Sequence, residues 1–221
     1  MIPDLSLIDT WLFDLDNTLY PEESGFMRQV ESRMTAFVMK VTGLERDAAF
    51  DLQKKYLAEH GLTLGGLMRH HGVDPADFHA LFHDLSLDAL AHDPALLVAL
   101  ARLPGRRLIF TNADGLHAER VLSHLGLTHL FDEVFHIHSF GFAPKPDPLG
   151  FLRMIEGHGL DPAATAFFED SECNLKPAHD LGMTTVLVGP RALASEAPFV
   201  HHRTEKLAPF LNHARLRETA S

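Results

Sequence analysis

The sequence predicts an α/β protein with a parallel sheet core and a purely helical insertion after the first strand. Three observations carry this expectation. Five short β-rich runs, Thr10–Asp14, Arg107–Thr111, Glu133–His136, Thr165–Glu169 and Thr184–Val188, are each followed by a turn or helix signal. Helical patterns separate the later runs, and strands alternating with helices form parallel sheets covered on both faces. The stretch from Glu22 to Ala91 carries helical patterns alone, so it stands apart as its own unit. The expected boundaries are a core at 1–21 and 92–221 and a helical domain at 22–91.

Each element has its own signal. The first strand is marked by Trp11, Leu12 and Phe13. In the insertion, Met27, Val30, Met34, Phe37, Val38 and Val41 share one helical face, and Gly43 supplies the stop. A second helix is predicted across Glu45–His60 before Gly61. A third spans Pro75–Leu85, started by Asp74 with Pro75 at its first position. In the core, Ala118, Val121, Leu122 and Leu125 recur at helical spacing before Gly126. Leu149, Leu152 and Ile155 do the same before Gly157, and a third pattern runs from Ser171 to Leu181 before Gly182. Thr204 reads as the N-cap of a short last helix around Leu207–Leu216.

Composition narrows the function. With 46% hydrophobic residues, the 221-residue chain can bury a sizeable core. Its 19 basic and 30 acidic residues give a net charge of −11. That balance opposes a nucleic acid polymer as partner, because such binding rests on Lys and Arg neutralising phosphates. A small phosphorylated ligand stays compatible, since a divalent cation inverts the local charge. The single cysteine, Cys173, excludes an intramolecular disulfide framework. No run reaches the ~18 apolar residues of a membrane span, and Met1-Ile2-Pro3-Asp4 lacks a secretory pattern. A cytoplasmic protein without a membrane partner is expected, whether an enzyme or a binding protein.

The chemistry concentrates at the ends of the predicted strands. Trp11-Leu12-Phe13 runs directly into Asp14-Leu15-Asp16-Asn17-Thr18. Alternation along an extended chain aims both acids the same way, at the strand end where open α/β sheets bind ligands. Taken alone, the pair reads equally well as a polar turn. The second strand ends in Thr111-Asn112, a hydroxyl and an amide ahead of a helix. The loop after the third holds Pro144-Lys145-Pro146, and the fourth strand ends in Glu169-Asp170. Singly, Thr111 reads as a helix cap, Lys145 as a solvated charge and Glu169-Asp170 as helix-dipole acids. A parallel sheet brings them all to one edge.

This ordered set resembles the four motifs of the haloacid dehalogenase superfamily. Phe13-Asp14-Leu15-Asp16-Asn17-Thr18 looks like the first, Thr111 the second, Lys145 the third and Glu169-Asp170 the fourth. The resemblance covers most of the chain and implies a Rossmann-like core with a type-1 helical cap at 22–91. It further implies a phosphomonoester hydrolase dependent on Mg²⁺. Asp14 is then the nucleophile that forms a phospho-aspartyl intermediate, and Asp16 the general acid and base. Thr111, Asn112 and Lys145 hold the phosphoryl group. The Mg²⁺ ligands are Asp14, the main-chain carbonyl of Asp16, and Asp170, with Glu169 acting directly or through water. Asp16 also separates this chain from the dehalogenases, which expel halide without a proton and lack that acid. A phosphomutase retains it and stays open.

Further strings resemble the pyrimidine 5′-nucleotidase branch of the superfamily. They include Leu19-Tyr20-Pro21 after the first motif, Arg33-Met34-Thr35-Ala36-Phe37-Val38, and Gly61-Leu62-Thr63-Leu64-Gly65-Gly66-Leu67-Met68. Others are His117-Ala118-Glu119-Arg120-Val121-Leu122 and Asn174-Leu175. The partner they imply is a nucleoside monophosphate, with UMP and CMP ahead of AMP and glucose phosphates. Sugar-phosphate hydrolysis or transfer, and a non-catalytic phosphate-binding protein, are the rival readings. Cys173 stands where that branch usually has an arginine, whose bidentate donation a thiol cannot replace. A small, at least half-buried residue is expected there. Tyr20, Pro21, Gly65, Gly66 and Arg69 are candidates for the substrate pocket, Tyr20 by stacking on a base or by packing beside the hinge. His79 and His83, spaced i, i+4, read as an exposed pair rather than metal ligands. His70-His71 and His201-His202 read as solvated loop residues.

Overall fold

The computed structural model of the protein describes residues 2–217. Six parallel strands form one sheet: β1 (Thr10–Phe13), β2 (Arg106–Phe110), β3 (Glu133–Phe135), β4 (Thr165–Glu169), β5 (Thr184–Val188) and β6 (His202–Thr204). Their order is β3-β2-β1-β4-β5-β6, the doubly wound arrangement of Rossmann-type sheets. The α/β class expected from the sequence is present, with β6 as an additional strand. β6 is short, polar and at an edge, so neither length nor alternation marks it.

Burial explains the central strands. Every residue of β1 and β4 is buried, as strands covered on both faces require. Phe13 pairs in register with Phe168, their rings stacked 4.7 Å apart, and Trp11 lies 6.3 Å from Phe168. A second cluster packs Phe110 and Phe167 edge-on against Phe151 and tilted against each other. Each such buried ring contributes roughly 1.5–3 kcal/mol of transfer free energy. The buried indole N–H of Trp11 donates to the Pro104 carbonyl at 2.6 Å.

The chain divides into two compact units, Ser24–Ala89 and the combination of Met1–Glu23 with Leu90–Ser221. The first is helical: α1 (Phe26–Thr42), α2 (Arg46–His60), α3 (Thr63–His71) and α4 (Pro75–His79), the last followed by a 3₁₀ turn at Ala80–Phe82. The second carries the sheet with α5 (Pro94–Ala101), α6 (Gly115–His124), α7 (Pro148–His158), α8 (Glu172–Asp180) and α9 (Leu207–His213). α1 ends at Gly43, which takes the left-handed φ of 73°.

Several local expectations need correction. α7 runs to Gly159 rather than Gly157, because Gly159 is the left-handed cap. The third helix of the insertion breaks into α4 and the 3₁₀ turn. Thr204 lies in β6, and Lys206 takes the N-cap position of α9 without a side-chain cap bond; the helix ends at His213. His79 is buried and Cys173 is exposed, the reverse of both expectations. His70 and His71 lie on α3, while His201 accepts from the Thr185 N–H at 3.0 Å. Among the described residues no helix is long and apolar enough to cross a membrane.

Candidate active site

β2 and β3 extend the sheet from one side of β1, and β4 returns to the other side. This reversal opens a crevice at the carboxyl ends of β1 and β4, the usual ligand position in such sheets. β1 delivers Asp14 there, and β4 delivers Glu169 and Asp170. The Asp14 N–H donates to Phe168 O at 2.9 Å, so the ladder continues one residue past β1. The chain then turns tightly, with the N–H groups of Thr18 and Leu19 both donating to Leu15 O. Asn17 holds the turn at φ 60°, which asparagine tolerates better than most residues. Its Nδ2 donates to Asp170 Oδ2 at 3.3 Å, while its buried Oδ1 has no hydrogen-bond partner among the described residues.

Lys145 is the hub. It is 2% exposed, and its Nζ donates to Asp14 Oδ1 at 2.6 Å, Glu169 Oε2 at 2.8 Å and Phe110 O at 2.8 Å. Those three bonds use all three ammonium protons. Gripping a phosphoryl oxygen would therefore require exchanging one of them. Asn112 clamps the lysine's main chain: its Oδ1 accepts from the Lys145 N–H at 2.9 Å and its Nδ2 donates to the Lys145 carbonyl at 3.0 Å. Thr111 is buried beside them and accepts at Oγ1 from the Ala113 N–H at 3.1 Å, which leaves its hydroxyl hydrogen for another acceptor.

The electrostatics split the acids into two groups. Burial, reinforced by Glu169, raises the Asp14 carboxyl to about 7 against the pull of Lys145. Burial raises Glu169 to about 7, with Lys145 opposing and Asp170 reinforcing. Burial and the Asp14 charge raise Asp170 to about 6. Lys145 is disfavoured as a cation by burial, but Asp14 and Glu169 outweigh that and raise it. Asp16 goes the other way. Burial pushes it up, yet His117 and then Tyr20 hold its carboxyl below the usual range. Burial likewise lowers His117, and Asp16 outweighs it to hold the imidazole above its ordinary value.

Carboxylate oxygens of Asp14, Glu169 and Asp170 lie within 4.8 Å of one another, the one group of this kind among the described residues. An all-oxygen set suits a hard cation such as Mg²⁺. Two buried acids and a half-buried third around a single lysine also lack positive charge, which a divalent ion supplies. Glu169 fits least well, since Oε2 is bonded to Lys145 and Oε1 accepts from the Ser171 N–H at 3.0 Å. A cavity of about 390 Å³ opens beside Asp170, lined also by Asn17, Ser171, Glu172 and Arg191. That is room for a small ligand.

Two residues escape the sequence reading as site residues in their actual roles. Tyr20 is buried, and its hydroxyl donates to Asp16 Oδ1 at 2.6 Å, so it is tied to the acid rather than presented for stacking. His117 Nε2 lies 3.0 Å from the same oxygen. The available signal was Asp114, an N-cap three residues ahead that sets His117 in the first turn of α6. Of the other pocket candidates, Pro21 and Arg69 are exposed. Gly65 and Gly66 serve packing: a Cβ on Gly66 would lie 2.2 Å from the Tyr56 ring, and one on Gly65 3.0 Å from His60 Cβ.

Residues 8–182 match the family model described as haloacid dehalogenase-like hydrolase. Phosphate metabolism protein 8 of Saccharomyces cerevisiae is 31% identical over 193 residues, 80% of this chain and 60% of that protein. This chain thus spans less than two thirds of that relative's length. Glyceraldehyde 3-phosphate phosphatase of Methanopyrus kandleri is 27% identical over 201 residues, 82% of this chain and 84% of that one. A HAD phosphatase from Thermococcus onnurineus superposes with a TM-score of 0.64 at 23% identity, covering 94% of this chain and 100% of that chain, a likeness of fold. The matched span runs from before the acids that follow β1 to beyond the acids that end β4, and on it the chain belongs to the haloacid dehalogenase-like hydrolase family.

Proposed function

We propose that this chain is a Mg²⁺-dependent phosphomonoester hydrolase with Asp14 as its nucleophile. The observation that supports this best is the buried bridge from Lys145 to Asp14 and Glu169, beside Asp170. It holds one carboxylate of an acid-rich crevice in a fixed orientation. Asp14, Asp170 and the main-chain carbonyl of Asp16 would hold the ion. When bound, Mg²⁺ supplies the positive charge that lets an anionic carboxylate approach an anionic ester.

The residues then divide the work. Asp14 bonds to phosphorus while Asp16 gives its proton to the leaving oxygen, and the ester P–O bond breaks. Asp16, now anionic, takes a proton from water as the water oxygen bonds to phosphorus and Asp14 is released. The Thr111 hydroxyl holds a phosphoryl oxygen, while the Asn112 side-chain amide, committed at both ends to the Lys145 main chain, fixes that loop rather than gripping phosphate itself. Lys145, with its protons committed, orients and screens Asp14, and Glu169 anchors Lys145. The preferred substrate class is a nucleoside 5′-monophosphate, pyrimidine first, on the branch-like strings at 33–38 and 61–68. A small sugar phosphate is the second reading, favoured by the likeness to a glyceraldehyde 3-phosphate phosphatase.

Activity on p-nitrophenyl phosphate should vanish in chelator and return with Mg²⁺. Asp14→Asn should lower turnover by about 10³-fold or more while the variant still unfolds cooperatively, and full activity in that variant rejects the covalent route. In the same assay, kcat/KM for UMP and CMP should exceed that for AMP, glucose 6-phosphate and glyceraldehyde 3-phosphate by about tenfold. A sugar phosphate in the lead would replace the nucleotide reading and leave the phosphatase one intact.

A further inference from the structure

We infer that Tyr20 and His117 are positioning residues that lock the Asp16 carboxyl so that Oδ2 alone exchanges protons with the leaving group and with water. The inference rests on the hydrolase reading and goes beyond it. Both donors end on one atom: Tyr20 Oη lies 2.6 Å and His117 Nε2 3.0 Å from Asp16 Oδ1. A carboxylate oxygen offers two lone pairs in the carboxyl plane. Oδ1 is therefore filled, and a proton entering the group goes to Oδ2. Among the described residues Oδ2 accepts no hydrogen bond, and the Asp16 side chain is 19% exposed.

The two donors come from separate elements. Tyr20 closes the turn that begins at Asp16, and it is 3% exposed. His117 sits in the first turn of α6, its main-chain N–H donating to the Asp114 side chain at 3.1 Å, and it is 5% exposed. Rotating the Asp16 carboxyl would break both bonds at once. An unclamped carboxyl would place its proton on either oxygen and swing out of reach, and a misplacement of about 1 Å costs on the order of 10²-fold in rate. The proton balance is simple. In the first displacement Oδ2–H breaks, its proton going to the bridging ester oxygen as the P–O bond breaks and the bond from Asp14 forms. In the second, a water O–H breaks and its proton returns to Oδ2 as the water oxygen bonds to phosphorus and the Asp14–P bond breaks.

Single-turnover phosphorylation separates a positioning role from a structural one. The variants are Tyr20→Phe, His117→Ala and His117→Gln, with Asp16→Asn as reference, each checked by thermal unfolding. Two substrates are compared: p-nitrophenyl phosphate, whose leaving group departs unprotonated, and the alkyl monoester the wild type turns over fastest. For Tyr20→Phe and His117→Ala, the alkyl ester should lose at least about tenfold more rate than the aryl ester, with KM little changed. His117→Gln keeps an N–H donor near the Nε2 position and should recover most of that loss. Equal losses on both esters, or none, in the presence of a leaving-group-dependent loss in Asp16→Asn, overturn the inference and spare the general acid. An Asp16→Asn variant without leaving-group dependence overturns the acid role of Asp16 and the inference with it. Tyr20→Phe preserves ring volume in a buried site, so the test stands even if His117→Ala does not fold.

Discussion

Lys145 shows how much a single buried cation organises. It holds acceptors from three strands' ends, one of them 131 residues away. A lysine between two prolines was visible in the sequence, but not its burial or the commitment of all three protons. Those depend on Asp14, Glu169 and Phe110 arriving from elsewhere. Replacing it with Met would leave the buried carboxylates of Asp14 and Glu169 without their cation. Removing one partner of a buried ion pair costs about 3–5 kcal/mol. Lys145→Met should show a loss of that size in urea unfolding at pH 8. At pH 5 the loss should shrink, because the raised acids are then protonated and need no counter-charge.

At the scale of elements, α3 is the informative case. It contains Gly65 and Gly66, each costing about 1 kcal/mol of helix propensity, so the local sequence argues against it. The structure supplies the compensation: without side chains there, α3 closes on Tyr56 and His60 of α2. In Gly66→Ala the new Cβ would meet Tyr56 atoms at 2.2, 2.5 and 2.6 Å, and a Cβ has no rotamer in which to escape. Overpacking of about 1–3 kcal/mol then outweighs the ~1 kcal/mol that Gly→Ala returns in a helix. Gly65→Ala, whose nearest neighbour is at 3.0 Å, should lose less. Thermal unfolding of both variants tests the order. α5 is a different omission. Asp93–Pro94 starts it as Asp74–Pro75 starts α4, with Asp93 accepting from Ala95 and Leu96 N–H groups. Its run Pro94-Ala-Leu-Leu-Val-Ala-Leu-Ala101 is apolar throughout, so the periodicity that marks the other helices is silent.

For the whole molecule, the clustered acids predict how stability follows pH. Asp14, Glu169 and Asp170 bind protons at about 7, 7 and 6 in the fold, against ordinary values of 3.8, 4.5 and 3.8. A raised value means the folded chain holds its proton more tightly than the unfolded chain. Their contribution is therefore complete below the ordinary values and is lost as pH rises through 6 to 7. Asp16, held low, contributes above its ordinary 3.8 and is constant over that window. In chelator, Tm should fall from pH 5 to pH 8. Mg²⁺ competes with those protons, so the rise in Tm it produces should grow over the same range. A Mg²⁺ effect that is larger at pH 5 would contradict an excess of negative charge in the crevice.

The sequence by itself determined the parallel core, five of its six strands, and the acids and lysine at their ends. These are local facts, written in apolar runs a few residues long and in the turn and cap residues that stop them. The sheet order decided that Asp14, Lys145, Glu169 and Asp170 meet, since parallel strands carry their carboxyl ends to one edge. Only the tertiary structure decided which oxygen of which acid receives which proton. Tyr20 and His117 share Asp16 Oδ1, the histidine from 101 residues along the chain, and Asn112 locks the main chain of Lys145 from 33 residues away. Hydrophobic periodicity repeats within a helical turn or a strand and can be read in place. A hydrogen bond between distant residues has no such local trace, because it exists only once packing has set donor and acceptor within about 3 Å of each other.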